Sequence, residues 1–197
     1  DELKENELVK LLLEKKFELN PKDFEDDIVK DTIVNIKNLK SIQEKNGEDG
    51  CNRYNISNSE DIFSVLFVFG LFRWCGWNEK EITFDIVPLF ETMKGMDASE
   101  EVMQTLFDIP QYRQHLERRR DIHTIMLGFS DGTKDGGYLK ANWSILKTKE
   151  TLSKVCKKNG VAAIFFDGRG GPPARGGGKT HRFYAAQTKD VANHEIQ

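Results

Sequence analysis

Apolar residues recur at helical intervals through a charged opening stretch: Leu8, Leu11 and Leu12, then Ile28, Ile33, Ile36 and Leu39. That spacing leaves one apolar face and predicts a solvated helical hairpin over residues 1–45. Asn20-Pro21 breaks the run, and Asn20 is placed to cap a second helix beginning at Pro21. Asn46 to Asn52, with Gly47 and Gly50, reads as a polar turn.

The texture changes at Tyr54. Tyr54-Asn55-Ile56-Ser57 predicts a short strand, and Ser59 is placed to cap a helix over 60–73. The β-branched and aromatic run Thr83 to Phe90 predicts a buried strand. Residues 98–119 are helical in pattern, with a break at Ile109-Pro110. Ile122 to Phe129 is a further strand, followed by a helix from about 135 to 158. Val161 to Phe166 is the last strand and opens into a glycine-rich loop, Gly168 to Gly178. Strands alternating with helices imply βα units and an α/β fold built on a parallel sheet or barrel. No short-period repeat interrupts this rhythm.

Composition narrows the function classes. The 197 residues carry 29 Lys plus Arg against 32 Asp plus Glu, a formal charge of −3. That balance lacks the global basic field of a dedicated nucleic-acid binder. Thirteen Phe and three Trp argue against disorder. Cys51, Cys75 and Cys156 are odd in number, far apart and free of any CxxC spacing, so neither a disulfide scaffold nor a zinc site is expected. A reducing cytoplasm is the default. The apolar stretch Ile62 to Phe72 is too short to span a bilayer. The charged start lacks both an initiator Met and a signal peptide, and His194-Glu195-Ile196-Gln197 stops without a closing cap. Both ends read as cut, which predicts a fragment.

The chemistry gathers after the strands. Pro88-Leu89-Phe90 leads into Glu91-Thr92, Leu127-Gly128-Phe129 into Ser130 to Asp135, and Phe165-Phe166 into Asp167 and the glycine loop. In barrels and open α/β sheets the C-terminal strand ends carry the active site. Glu91 and Asp131 are hard oxygen donors suited to Mg²⁺ or Mn²⁺. They read equally as a first-turn charge and a helix N-cap. Lys134 is either a point charge aimed at an anion or a solvated surface lysine, and Asp135 is a helix-start charge.

The glycine loop lets backbone N–H groups approach an anion, and Arg169 and Arg175 add planar forks that fit phosphate or carboxylate oxygens. It is no Walker A loop; Gly176-Gly177-Gly178-Lys179-Thr180 only imitates the end of one. An RNA-binding tail and a plain flexible loop are the other readings. The histidines His115, His123, His181 and His194 form no HExxH spacing. His123 reads as a satisfied core residue, and His181 stands near enough to the loop to face an anion. Ser57 and Ser130 lack any triad context.

Three blocks carry a resemblance. They are Asp85 to Thr92, Met126 to Gly137, and Gly168 to Gly178; Tyr54 to Ser57 and Ala141-Asn142-Trp143 fit less tightly. In order and spacing they resemble phosphoenolpyruvate carboxylase, over about residues 54–197. The resemblance implies that 54–197 is part of a (β/α)8 TIM-type barrel with additional helices, preceded by the charged helical segment 1–45. It implies an anaplerotic enzyme, a cytoplasmic homotetramer without nucleic-acid or membrane partners. Its substrates would be phosphoenolpyruvate and bicarbonate, its products oxaloacetate and phosphate, and its cofactor Mg²⁺ or Mn²⁺ without biotin. Carried over by motif, Glu91 and Asp131 hold the metal, and Lys134, Arg169 and Arg175 are catalytic. Arg169, Gly170, Gly171, Arg175 and Gly176 bind substrate.

Two positions depart from the family pattern. The loop usually begins His-Gly-Arg-Gly-Gly, whereas Asp167 precedes Gly168 here, and Lys179 stands where proline is common. An acid cannot replace an imidazolium beside anions, so Asp167 is expected to orient Arg169 or to contact the metal. Family members are several times longer, and their essential histidine segment and mobile lid lie outside these residues. The chain alone is therefore expected to be inactive. A short binding remnant that recognises a phosphorylated three-carbon acid is the alternative.

Overall fold

Each expected strand forms, with helices between, in a computed structural model that describes residues 5–168, 179–189 and 191. In chain order the elements are α1 (Glu5–Glu14), α2 (Asp27–Asn46), β1 (Arg53–Ile56), α3 (Ile62–Trp74), β2 (Asp85–Phe90) and α4 (Met93–Asp108). They continue with α5 (Pro110–Arg118), β3 (Ile122–Gly128), α6 (Ser130–Lys158), β4 (Ala162–Gly168) and α7 (Thr180–Ala185). The chain divides into two compact units, Asp1–Tyr54 with Phe63–Ile86, and Asn55–Ile62 with Val87–Gln197.

The first unit is helical. Leu12 of α1 and Ile33, Ile36 and Leu39 of α2 are buried, as their spacing predicts, but Leu8 and Leu11 are only half-buried, Leu13 is buried instead, and Ile28 stays 78% exposed in the opening turn of α2. The expected helix start at Pro21 is only a single 3-10 turn, Pro21–Asp23, whose Lys22 N–H donates to the Asn20 side chain at 3.1 Å. Phe24 then turns extended, and α2 begins at Asp27, with Asp26 Oδ1 accepting from Ile28 N at 2.8 Å and Val29 N at 3.2 Å. Two side-chain acceptors compete for one helix start, and the one followed by continuous periodicity holds it. α3 is apolar on nearly every side and buries Val65, Leu66, Val68, Phe69 and Phe72. Phe72, Trp77 and Phe84 form an aromatic cluster with centroids 5.3–5.7 Å apart, and Trp77 Nε1 donates to Ile36 O at 3.1 Å. No helix among the described residues is long and apolar enough to cross a membrane.

The second unit carries the chemistry. The sheet order is β1-β2-β3-β4, with β2–β3 and β3–β4 parallel. α4 and α5 connect β2 to β3, and α6 connects β3 to β4, so each crossover is helical, as parallel neighbours require. The fold class is α/β, as in part of a (β/α)8 barrel. The four strands among the described residues cannot by themselves close a barrel of about eight. Ile109 is extended (φ −80°, ψ 115°) ahead of Pro110, which ends α4 and starts α5. His123 is a satisfied core residue: its Nε2 lies 2.8 Å from Tyr112 Oη and its Nδ1 2.9 Å from Thr124 O.

Two further details depart from the periodicity. Ser59 does not cap α3, which starts three residues later. Instead Ser59 is buried, its Oγ accepting from Leu89 N at 3.2 Å while its own N–H donates to Leu89 O at 3.0 Å. The serine brackets β2. The helix expected from about 135 already begins at Ser130, and Gly137 (φ 80°, ψ 166°) divides it into a short first stretch and a long second one.

Candidate functional site

Parallel register aligns the ends of three strands. Phe90 of β2 pairs with Leu127 of β3, which pairs with Asp167 of β4. One residue further, Gly128 pairs with Gly168, and Glu91 packs against Gly128. A Cβ at residue 128 would stand 2.5 Å from Glu91 Cβ, and one at residue 168 would stand 2.7 Å from Met126 Cε. The two glycines thus supply room at the strand ends, where other residues would force these neighbours apart. The chain leaves β3 through Phe129, whose N–H donates to Gly168 O at 3.3 Å, and enters α6 directly.

This placement brings together the two candidate metal ligands. Glu91 Oε1 accepts the Asn58 N–H at 2.8 Å, which fixes the carboxylate just past β2. Asp131, in the first turn of α6, accepts from Lys134 Nζ at 2.6 Å. The Lys134 hydrogen bond and charge hold the Asp131 carboxyl below its ordinary range, and the neighbouring Glu91 adds a smaller effect. Glu91 and Asp131 therefore share one locus, from strands β2 and β3, and Lys134 joins them as the partner of Asp131. The Lys134 side chain is 75% exposed.

Beside Glu91, Thr92 caps α4: its Oγ1 accepts from Gly95 N at 2.9 Å and donates to Glu60 Oε1 at 2.9 Å. Glu60 also pairs with Lys94. The Lys94 hydrogen bond lowers the Glu60 carboxyl below its ordinary range. This small network joins the 55–62 segment to the start of α4 and holds the turn that carries Glu91.

Arg169, Gly170, Gly171, Arg175 and Gly176 lie outside the described residues. So does His194, while His181 is exposed on α7. Among the described residues no group of three or more His, Cys, Asp and Glu could hold a metal. Among the described residues the strand ends offer Glu91 and Asp131 as a carboxylate pair, while the Asp167 carboxylate is engaged by a lysine. A pair of hard oxygens is what a divalent cation needs from the protein when water and substrate complete its coordination.

Asp167 is occupied by a residue that the spacing alone did not single out. Lys149 Nζ lies 2.8 Å from Asp167 Oδ1 and 2.9 Å from Oδ2, and both side chains are only 3% exposed. Lys149 stands in the buried stripe of α6, four residues after Ile145 and three before Leu152. A lysine on an apolar stripe demands a buried counter-charge, which is the signal that would have found it. The rings of Phe165 and Phe183 lie 5.7 and 6.0 Å from its ammonium.

Comparison with known proteins shows the family. The phosphoenolpyruvate carboxylase family profile matches residues 1–197. The chain is similar to phosphoenolpyruvate carboxylase of Nitrosomonas eutropha, at 33% identity over 175 residues, covering 87% of the chain and 19% of that protein. It is 40% identical over 133 residues to the Corynebacterium efficiens enzyme of the same name, covering 68% of the chain and 14% of that protein. For the Rhodothermus marinus protein of that name the figures are 42% over 113 residues, 57% and 12%. The chain spans about a fifth of the length of such curated relatives. Profile and relatives agree, and the chain belongs to the phosphoenolpyruvate carboxylase family.

Proposed function

We propose that the complete protein containing this chain carboxylates phosphoenolpyruvate with bicarbonate, giving oxaloacetate and phosphate, and that this chain supplies part of its active site. The observation that carries the reading is the convergence of Glu91, Asp131 and Lys134 at the ends of adjacent parallel strands, next to the base of the glycine loop. Glu91 and Asp131 fit Mg²⁺ or Mn²⁺ as hard oxygen ligands. Such an ion, when bound, supplies Lewis-acid stabilisation of developing negative charge. No biotin is needed, because the phosphoryl group of the substrate activates bicarbonate.

Each residue type has a task. Bicarbonate oxygen attacks phosphorus, the phosphoryl group leaves the enol oxygen, and carboxyphosphate and the enolate of pyruvate result. Carboxyphosphate then breaks down to carbon dioxide and phosphate, and the enolate carbon captures the carbon dioxide. Lys134 holds Asp131 ionised and places positive charge beside the anions. Arg169 and Arg175, with the amides of Gly170, Gly171 and Gly176, bind the phosphoryl and carboxylate oxygens as charge shifts between them. Excluding water protects carboxyphosphate from hydrolysis and the enolate from protonation. The setting is anaplerotic, in the cytoplasm, in a homotetramer.

The test is bicarbonate-dependent oxaloacetate formation, coupled to NADH oxidation through malate dehydrogenase, with Mg²⁺ present. The full-length gene product is expected to be active and residues 1–197 alone inactive. Activity is expected to vanish in Glu91→Ala and in Arg175→Ala. A full-length product that binds phosphoenolpyruvate without turning it over would instead establish a binding remnant.

A further inference from the structure

We infer that Lys149 is a positioning residue for substrate binding: it neutralises Asp167, so that the base of the glycine loop meets an anionic substrate without net negative charge. The inference rests on the phosphoenolpyruvate reading above and deepens it.

Asp167 occupies a demanding place. It is paired with Leu127 in the sheet and precedes Gly168, which is level with Gly128 and hence with the Glu91 contact. A lone carboxylate here would repel a phosphate or carboxylate bound at the strand ends. Lys149 removes that effect by engaging both carboxylate oxygens, at 2.8 and 2.9 Å, where each side chain is 3% exposed. Water cannot screen the charges at that burial, so the pair acts as a local dipole of zero net charge.

Fold stability alone does not account for the pair. Buried ion pairs are often no better than apolar residues of similar volume, because desolvation offsets the attraction. The pair also bridges two parts of the site: α6 starts with Asp131 and Lys134 and carries Lys149, and β4 ends on Asp167. The helix that begins at the candidate metal ligand therefore also holds the acid at the loop base.

The sign of the charge separates this role from a structural one. In the full-length protein, Lys149→Gln takes the ammonium from beside the Asp167 carboxylate, and Asp167→Asn takes the carboxylate from beside the Lys149 ammonium. Both variants are expected to unfold at lower temperature than the wild type. Only Lys149→Gln is expected to raise KM for phosphoenolpyruvate, by about tenfold or more, with a smaller change in kcat. Asp167→Asn is expected to leave that KM at or below the wild-type value. The double variant, with both charges removed, is expected to return KM to within about threefold of the wild type, since removing both partners leaves no unpaired charge. Equal rises of KM in the two single variants, without recovery in the double variant, would overturn the inference, as would no change in any of them. If Lys149→Gln does not fold, Asp167→Asn and the double variant still decide, and a KM clearly above wild type in Asp167→Asn would overturn the proposal. A wild-type protein that neither binds nor turns over phosphoenolpyruvate overturns the parent reading, and this inference with it.

Discussion

Glu91 and Gly128 touch across the ends of two neighbouring strands, with no space between them for a methyl group. A Cβ at residue 128 would lie 2.5 Å from Glu91 Cβ and 3.0 Å from Glu91 Cα. The second of these is backbone, so the clash cannot be relieved by a rotamer change alone. Gly128→Ala is expected to push Glu91 away from Asp131 and to cost about 1–3 kcal/mol of stability through overpacking. Thermal unfolding of the full-length protein, together with the Mn²⁺ concentration needed for half-maximal activity, checks both parts. An unchanged Mn²⁺ requirement would separate Glu91 from metal binding.

A second prediction concerns the start of α6. Gly137 has φ 80° and ψ 166°, a conformation open almost only to glycine, and a Cβ there would meet nothing within 4 Å. Space is available; backbone strain is the only obstacle. Gly137→Ala is therefore expected to destabilise by about 1–3 kcal/mol or to force a different junction between residues 130–136 and the long remainder of the helix. Urea unfolding measures the first outcome. The second appears as lost activity out of proportion to lost stability, because Asp131 and Lys134 sit on the displaced stretch.

The cysteines set a pH dependence. Burial pushes the Cys75 thiol up to about 11 and the Cys156 thiol up to about 12, from 9.0. In the unfolded chain both thiols ionise more readily, so their folded forms contribute stability fully below about pH 9 and lose it as pH rises towards 11 and 12. The urea midpoint is expected to fall between about pH 8 and about pH 10, and Cys156→Ala to flatten part of that fall. Cys51, which is partly exposed, is expected to react with a thiol reagent in the native protein well before Cys75 or Cys156. Equal labelling rates for all three thiols would contradict the burial.

Much of this architecture was legible in the residues. Strands β2 and β4 were visible because apolar runs such as Ile86 to Phe90 pack on both faces of a parallel sheet and so read as continuous. The convergence of Glu91 with Asp131 followed from the rule that strand ends gather function, and the structure adds the glycines that permit it. Local hydrogen-bond choices were not legible. Asn20 and Ser59 are good caps by type, but Asp26 starts α2 and Ser59 is used by β2. Which acceptor wins depends on neighbours remote in sequence. Lys149 escaped notice for the same reason: its partner lies 18 residues away, across a helix-to-strand turn.

The Ser59 bracket has a consequence for synthesis on the ribosome. Residues 55–62 belong with the unit that contains 87–197, although 63–86 belongs with the other. Ser59 therefore emerges before its partner Leu89, and its segment must wait unpaired while the whole of α3 is made. Neither unit is one continuous stretch, so no single cut releases either intact. A chain shortened at residue 86 would keep α1, α2 and α3 but strand the 55–62 segment, with its two hydrogen bonds to Leu89 lost.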